Sequence, residues 1–275
     1  MPELPEAETL VRGLHPLLAG HRITRVRVHH ADVLHVAPHR FRRQLAGRRI
    51  TGVGRRGKKV VLSLDGGEAR LVVSLGMTGR LVPRGFADTD PSRPTHPAVT
   101  LTLDEGRGLV FHDPRRFGSL ELLTAGEWAS RSRTMGPEPL ARGWGWAALH
   151  AALSGSRTPV RNWLLDQRRV AGVGNIYASE ACFRAGIHPA RPAREVAPGE
   201  ARRLHRVLRA VLREAIANRG TTLRDYRDAG GEPGENRALL RVYGRAGLPC
   251  PRCGSPIERL VLTNRSAFYC PRCQS

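Results

Sequence analysis

The first six residues, Met1-Pro2-Glu3-Leu4-Pro5-Glu6, hold the most reactive combination in the chain. A small second residue favours removal of the initiator methionine, which would leave Pro2 with a free secondary amine. Such an amine attacks an electrophilic carbon and collapses to an iminium, the chemistry of a Schiff base. A free α-amino group has a pKa of ~7.7–8.0, so about one in seven is neutral and nucleophilic at pH 7. Glu3 and Glu6 lie close by and could move protons. The same residues also read as an ordinary helix start, with Pro5 in the first turn and Glu6 complementing the helix dipole.

A second group of reactive side chains closes the sequence. Cys250 and Cys253 form one C-x2-C knuckle and Cys270 and Cys273 another, with sixteen residues between the two. That spacing predicts a zinc site. Four thiolates complete a tetrahedron and leave no position for substrate, so the one Zn2+ expected is structural. Cys182 lies in an apolar helical stretch and reads as a small buried hydrophobe.

The chemistry sits in a strongly basic chain. Lys and Arg number 45 against 24 Asp and Glu, a net charge of +21 in 275 residues. Arginine dominates, in pairs such as Arg55-Arg56 and Arg115-Arg116. This excess favours a phosphate polymer as partner, against the simpler reading of a solvated basic surface. The acidic start lacks the features of a signal peptide, and no apolar run approaches the ~20 residues of a membrane helix. A cytoplasmic protein without disulfides or membrane contact is expected. The length allows two domains and a sizeable core. With no oligomerisation signal, a monomer is expected.

The elements that must position these groups follow from periodicity. Apolar residues from Ala7 to Leu18 recur at helical spacing, predicting a helix over Pro5–Leu18 that holds the terminal amine in place. Short strands bounded by Gly, Pro and Asp follow over 60–64, 70–75, 98–103, 108–111 and 119–123, the pattern of a sandwich or barrel. Residues 86–97 read as a loop. The segment 134–139 reads as a hinge. Helices are predicted over 144–153, 159–166 and 175–185, and a clean apolar stripe runs from Leu204 to Ile216. Residues 221–237 form a loop long enough to suspect function, and 257–262 with 266–270 form a terminal hairpin.

Several motifs gain meaning together. RRGKK at 55–59, with Gly54, reads as a cationic turn whose glycines let the backbone approach a phosphate. LGMTG at 75–79 sets Met77 on a glycine-flanked corner. DPRRFG at 113–118 sets Arg115 and Phe117 beside a tight turn, a basic and apolar pair suited to insertion into a base stack. AGVGN at 171–175 opens a helix after a glycine turn, a potential phosphate site. It lacks the third glycine and preceding strand of a dinucleotide fingerprint, so no nucleotide cofactor is expected.

These motifs, with PELPEAET at 2–9, GPEPL at 136–140, LLDQ at 164–167, NIYASE at 175–180, TTLRDY at 221–226, VYGR at 242–245 and the four cysteines, closely resemble the formamidopyrimidine-DNA glycosylase family. The resemblance runs from Met1 to Cys273. Leu4 points to this purine-specific branch, since the related endonuclease-eight-like group typically reads PEGPE.

The resemblance implies an α+β multidomain fold. An N-terminal catalytic β-sandwich with a helix would cover 1–133. A helix–two-turn–helix DNA-binding domain would cover 134–240, including a lesion-capping loop at 221–237. A zinc-ribbon-like β-hairpin finger would cover 241–275. It implies base-excision repair of double-stranded DNA containing oxidised purines, with glycosylase and abasic-site lyase activity. Pro2 would be the nucleophile and Glu3 the proton donor to the sugar. Lys58 and Arg265 would assist β- and δ-elimination, and Glu6 would be accessory. Met77, Arg115 and Phe117 would fill the space vacated by the extruded nucleotide. Lys58, Asn175 and Arg265 would hold phosphates, and His96 and Arg157 fall near backbone-contacting positions. Thr221, Thr222, Arg224 and Tyr226 belong to the loop over the extruded base. Within that loop Glu235 and Asn236 stand where many relatives carry an aromatic residue and a glutamine. An oxidised-pyrimidine enzyme and a non-catalytic DNA-binding zinc protein are the competing readings.

Overall fold

A computed structural model describes residues 2–67, 69–87 and 95–275. Met1, on whose removal the terminal-amine expectation depends, lies outside the described residues, as do residues 88–94 of the expected 86–97 loop. The chain divides into two compact units, Met1–Thr134 with Asn218–Glu235, and Met135–Ala217 with Asn236–Ser275. The segment Asn218–Glu235 therefore groups with the first unit and not with the helices that flank it in sequence.

In the first unit, α1 spans Leu4–Leu18 and begins one residue earlier than its apolar periodicity predicts. It buries Leu4, Ala7, Leu10, Leu14 and Leu18 completely or nearly so. Two antiparallel four-stranded sheets follow. One orders β1 (Ile23–Val28), β6 (Pro97–Leu103), β7 (Gly108–His112) and β5 (Arg80–Arg84). The other orders β2 (Ile50–Arg56), β3 (Lys59–Leu64), β4 (Ala69–Ser74) and β8 (Ser119–Thr124). Leu71, Val73 and Leu120 of the second sheet meet Leu81, Val99, Leu101 and Phe111 of the first around a common void. This is the expected sandwich, and α1 shares its core through Leu10, Leu14 and Leu18.

Two short helices have no counterpart in the sequence reading: α2 (Pro38–Leu45) and α3 (Ala125–Arg133). The first buries only Phe41 and Leu45, and the second buries no residue. Neither carries the apolar stripe by which a helix is recognised. For α3 the capping box does the work: Glu127 N–H donates to Thr124 Oγ1 at 3.1 Å, and Thr124 N–H donates to Glu127 Oε2 at 2.7 Å.

The second unit holds α4 (Trp146–Ser154), α5 (Val160–Leu165), α6 (Asn175–Ala185), α7 (Pro198–Ala217) and a hairpin of β9 (Glu258–Leu262) and β10 (Arg265–Tyr269). Helix α7 packs along α6, where Arg184 makes a two-pronged ion pair with Glu214 at 2.7 and 2.8 Å. Phe183 of α6 shares a small apolar cluster with Val242, Ile257 and two cysteines, which seats the hairpin.

Candidate active site

The chain start is held by a buried carboxylate. Glu3 and Glu6 are 2% and 1% exposed, and Pro2 is buried beside them. Glu6 Oε2 accepts Glu3 N–H at 2.7 Å, and Glu6 Oε1 accepts Thr221 N–H at 2.7 Å. One side chain thus fastens the backbone next to Pro2 to the base of the 218–235 segment. Tyr226 OH donates to the Glu6 carbonyl at 3.4 Å. Burial, with Glu6 and Asp228 nearby, pushes the Tyr226 phenol far above its usual range, so it serves as a neutral donor.

The same segment is closed on itself. Gly234 N–H donates to Thr222 Oγ1 at 2.8 Å, and Thr222 Oγ1–H donates to the Tyr226 carbonyl at 3.0 Å. Ala229 joins the core against Gly13 of α1. Leu223, Arg224 and Asp225 form the exposed tip. Glu235 pairs with Arg219, whose other nitrogen lies 3.8 Å from Asp228.

Lys58 does not sit in a long cationic turn. Residues 54–56 continue β2 and Lys59 starts β3, so the turn is only Gly57-Lys58. The pairing of Val60 to Leu64 with β2 extends the strand back through these residues. Arg55 pairs with Glu8 at 2.6 Å, Arg56 donates to Ser132 Oγ at 3.2 Å, and Lys59 Nζ donates to Ser74 Oγ at 2.7 Å. Burial and the nearby Arg131 hold the Lys59 ammonium below the usual lysine range, with Glu121 opposing them. Lys58 is left half-buried at the hairpin tip.

Met77, Arg115 and Phe117 come together as an exposed wedge. Asp113, 2% exposed, accepts Thr78 Oγ1–H at 2.5 Å and Gly118 N–H at 2.7 Å. That single carboxylate ties the Met77 corner to the Phe117 turn. Gly76 has φ 57°, and a Cβ there would lie 2.6 Å from the Phe117 carbonyl, so only glycine permits this approach. The Arg115 guanidinium stacks 4.5 Å above the Phe117 ring. Met77 is 41% and Phe117 59% exposed, unusual for large apolar side chains. The exposed His96 joins this region through its carbonyl, which accepts Asp113 N–H at 3.1 Å. Asp113 lies within the quoted motif, but its spacing alone gave no hint of the bridge to Thr78.

In the second unit, Asn175 starts α6 and donates to the Ser266 carbonyl at 3.0 Å, while its Oδ1 accepts from Arg161. Arg161 is fully buried and also reaches the Ser266 carbonyl at 2.8 Å. These bonds place Asn175 beside Arg265, the exposed first residue of β10. Thr158, Asn162, Leu262 and Arg265 line a cavity of about 390 Å³, and the exposed Arg157 immediately precedes Thr158. Gln167 shapes the turns before α6: its amide donates to the Val173 carbonyl at 2.8 Å and accepts Gly172 N–H at 2.8 Å. Glu180, 1% exposed, accepts the backbone N–H groups of Arg241, Val242 and Tyr243 at 2.9–3.1 Å and so anchors the VYGR segment. Sequence motifs included both residues without revealing these roles.

The Sγ atoms of Cys250, Cys253, Cys270 and Cys273 all lie within 4.8 Å of one another. Two of the separations are 3.9 and 3.5 Å. They bracket the ~3.8 Å edge of a tetrahedron with Zn–S bonds of ~2.3 Å. The donor set and its spacing fit one structural zinc. Cys182 stays apart, its thiol pushed up to about 12 by burial.

Three family models match in order. They are the formamidopyrimidine-DNA glycosylase N-terminal domain over residues 1–120, the H2TH domain of the same enzymes over 135–227, and the zinc finger found in FPG and IleRS over 247–275. The formamidopyrimidine-DNA glycosylase of Chloroflexus aurantiacus is 45% identical over 275 residues, covering 100% of this chain and 98% of that one. The chain belongs to the formamidopyrimidine-DNA glycosylase family. The crystal structure of the MutM (FPG) protein of Thermus thermophilus superposes with a TM-score of 0.88 at 44% identity, covering 99% of this chain and 98% of that one. A Lactococcus lactis FPG variant bound to Fapy-dG-containing DNA superposes at 0.92 with 29% identity, covering 100% of each chain. As a formamidopyrimidine-DNA glycosylase the protein is a DNA-repair enzyme. The H2TH match spans α4 to α7, and the zinc-finger match takes in all four cysteines. Among the described residues, no helix is long and apolar enough to cross a membrane.

Proposed function

We propose that this formamidopyrimidine-DNA glycosylase excises oxidised purines, 8-oxoguanine and formamidopyrimidines, from double-stranded DNA and then cuts the strand as an abasic-site lyase. It acts as a monomer in the bacterial cytoplasm. The Pro2 amine attacks C1′ of the extruded nucleotide while Glu3 protonates the ring oxygen, and the base leaves. The resulting iminium acidifies the C2′ proton. Loss of that proton breaks the bond to the 3′ phosphate, and a second elimination expels the 5′ phosphate. Hydrolysis of the imine frees the enzyme and leaves a one-nucleotide gap.

Lys58 holds a phosphate beside the sugar. Arg265 stabilises the leaving phosphate by charge, because an arginine is effectively always protonated and is a poor literal acid. Met77, Arg115 and Phe117 occupy the gap left by extrusion, whose cost is ~a few kcal/mol. Asn175, His96 and Arg157 contact the backbone, and Thr221, Thr222, Arg224 and Tyr226 cap the base. Zinc would hold the hairpin that carries Arg265 and takes no part in bond breaking.

The observation that carries this reading is the match of all three family models in order along the chain, with Glu3 and Glu6 buried beside Pro2. Its test compares duplexes carrying 8-oxoguanine opposite cytosine with duplexes carrying thymine glycol. Faster excision of 8-oxoguanine with a β,δ-elimination product supports it. A preference for thymine glycol, or base release without strand cleavage, contradicts it.

A further inference from the structure

A cleft of about 370 Å³ opens on the outer face of the β2-β3-β4-β8 sheet, within the first unit. Strand register pairs Gly54 with Val61, Gly52 with Ser63, and Ser63 with Arg70 across this face. Helix α3 closes one side with Trp128 and Ser132, and His15 at the end of α1 closes another. None of the residues assigned above to the chemistry, the wedge or the loop lines it.

Two glycines create the space. Neither Gly52 nor Gly54 has the left-handed φ that would require glycine. A Cβ on Gly54 would meet nothing within 4 Å, and one on Gly52 only His15 Cε1 at 3.7 Å. Glycine inside a strand costs stability and marks places where a bulge occurs or a ligand approaches the backbone closely. The register irregularity between Ile50 and Gly52 accounts for the first glycine but not for Gly54.

The lining states what would fill it. Arg56 and Arg70 give it cationic character, Arg55 beside them being paired with Glu8, and no carboxylate is among its described lining residues. Carbonyls of Gly67 and Ala69 hold the Arg70 guanidinium at 3.2 and 3.0 Å, and Ser132 holds Arg56. Fixed guanidinium groups suit phosphate oxygens. Val61 supplies an apolar floor and the half-buried Trp128 an indole, the surfaces on which a base stacks. The volume falls within the ~300–1,000 Å³ of small-molecule sites.

We propose that this cleft binds a nucleotide unit, with phosphate at Arg56 and Arg70 and base against Trp128 and Val61, separately from the lesion-binding site. A free nucleotide and a nucleotide within a single strand of DNA share this chemistry. Calorimetric titration of the full-length protein with dGMP and with a 5′-phosphorylated thymidine tetranucleotide tests it, with and without saturating abasic-site duplex. Binding at one site that persists with duplex bound, and that Gly54→Ile and Arg70→Ala each weaken at least ten-fold, with 8-oxoguanine excision unchanged in Arg70→Ala, supports the proposal. At least ten-fold tighter binding of the tetranucleotide assigns the cleft to a DNA strand, and equal affinity assigns it to free nucleotide. Should Gly54→Ile fail to fold by thermal melting, Trp128→Leu serves, with nucleotide affinity lost and inorganic phosphate binding kept. Binding that survives both cleft variants, that duplex abolishes, or that is no tighter than inorganic phosphate overturns the proposal.

Discussion

Glu6 and Thr221, 215 positions apart, are joined by one hydrogen bond of 2.7 Å from the Thr221 N–H to Glu6 Oε1. The other oxygen of the same carboxylate accepts Glu3 N–H, also at 2.7 Å. The loop base and the backbone beside Pro2 therefore share one buried acceptor pair. A shift of either partner is felt by the other through a side chain 1% exposed.

Glu6→Gln tests that connection at constant volume. The amide has one acceptor oxygen for two N–H donors, so its NH2 must face one of them. An unmade bond at a buried site costs about 1–3 kcal/mol. Urea denaturation should show a loss of that size. Excision should slow at least ten-fold, with little change in affinity for undamaged duplex. Unchanged stability and rate would refute the coupling.

Asp113→Ala and Phe117→Ala should separate support from contact. Removing the Asp113 carboxylate strands Gly118 N–H and Thr78, at a cost of about 1–3 kcal/mol for the buried donor. Both variants should lose affinity for abasic-site duplex, but Phe117→Ala should leave the melting temperature nearly unchanged because its ring is 59% exposed. Equal thermal destabilisation of the two would show that Phe117 is a packing residue.

How far the sequence discloses this arrangement depends on the kind of interaction. Helix α1 and α6, strands β3, β4, β6, β7 and β8 and the zinc knuckles are legible because period and spacing encode them, whereas β2 and β5 have no counterpart in the sequence reading. Helices α2 and α3 are not, since neither buries a stripe, and α3 is defined at its start by the Thr124–Glu127 capping box. The RRGKK motif reads as a long turn, because β-pairing of Arg56 with Lys59 depends on a partner strand that local propensity does not show. Asp113, Arg161 and Glu180 act by bonding to backbone distant in sequence. No spacing rule reports such bonds, so these three emerge only from the fold.

His112 predicts a pH dependence. Its Nδ1 is buried without a partner among the described residues. Burial first, then Arg80 and His96, hold its imidazole below the usual histidine range. Below about pH 6.5 the unfolded chain takes up a proton that the folded site resists. The contribution of this group is therefore steady above that pH and stability falls as pH drops through 6.5 toward the lower folded-state value. Urea midpoints between pH 7.5 and 5 should decline, and His112→Gln should flatten the decline. An identical slope in the variant would remove His112 as the cause.

Zinc removal should act on the hairpin alone. Chelation, or Cys250→Ser, should release one zinc per chain and loosen β9 and β10, and with them Arg265. DNA affinity should fall several-fold while far-ultraviolet signal from the helices persists. Metal analysis alongside binding measurements checks this. Full affinity in zinc-free protein would contradict a structural role for the metal.

The most direct measurement is borohydride reduction of the protein on duplex containing 8-oxoguanine opposite cytosine, followed by peptide mass spectrometry of the covalent product. The account predicts that the sugar is attached to the nitrogen of Pro2, at the terminus of a chain lacking Met1, and that Pro2→Gly and Glu3→Gln each reduce or abolish the product. A sugar found on Lys58 or another side chain, or covalent trapping by protein that retains Met1, would contradict it.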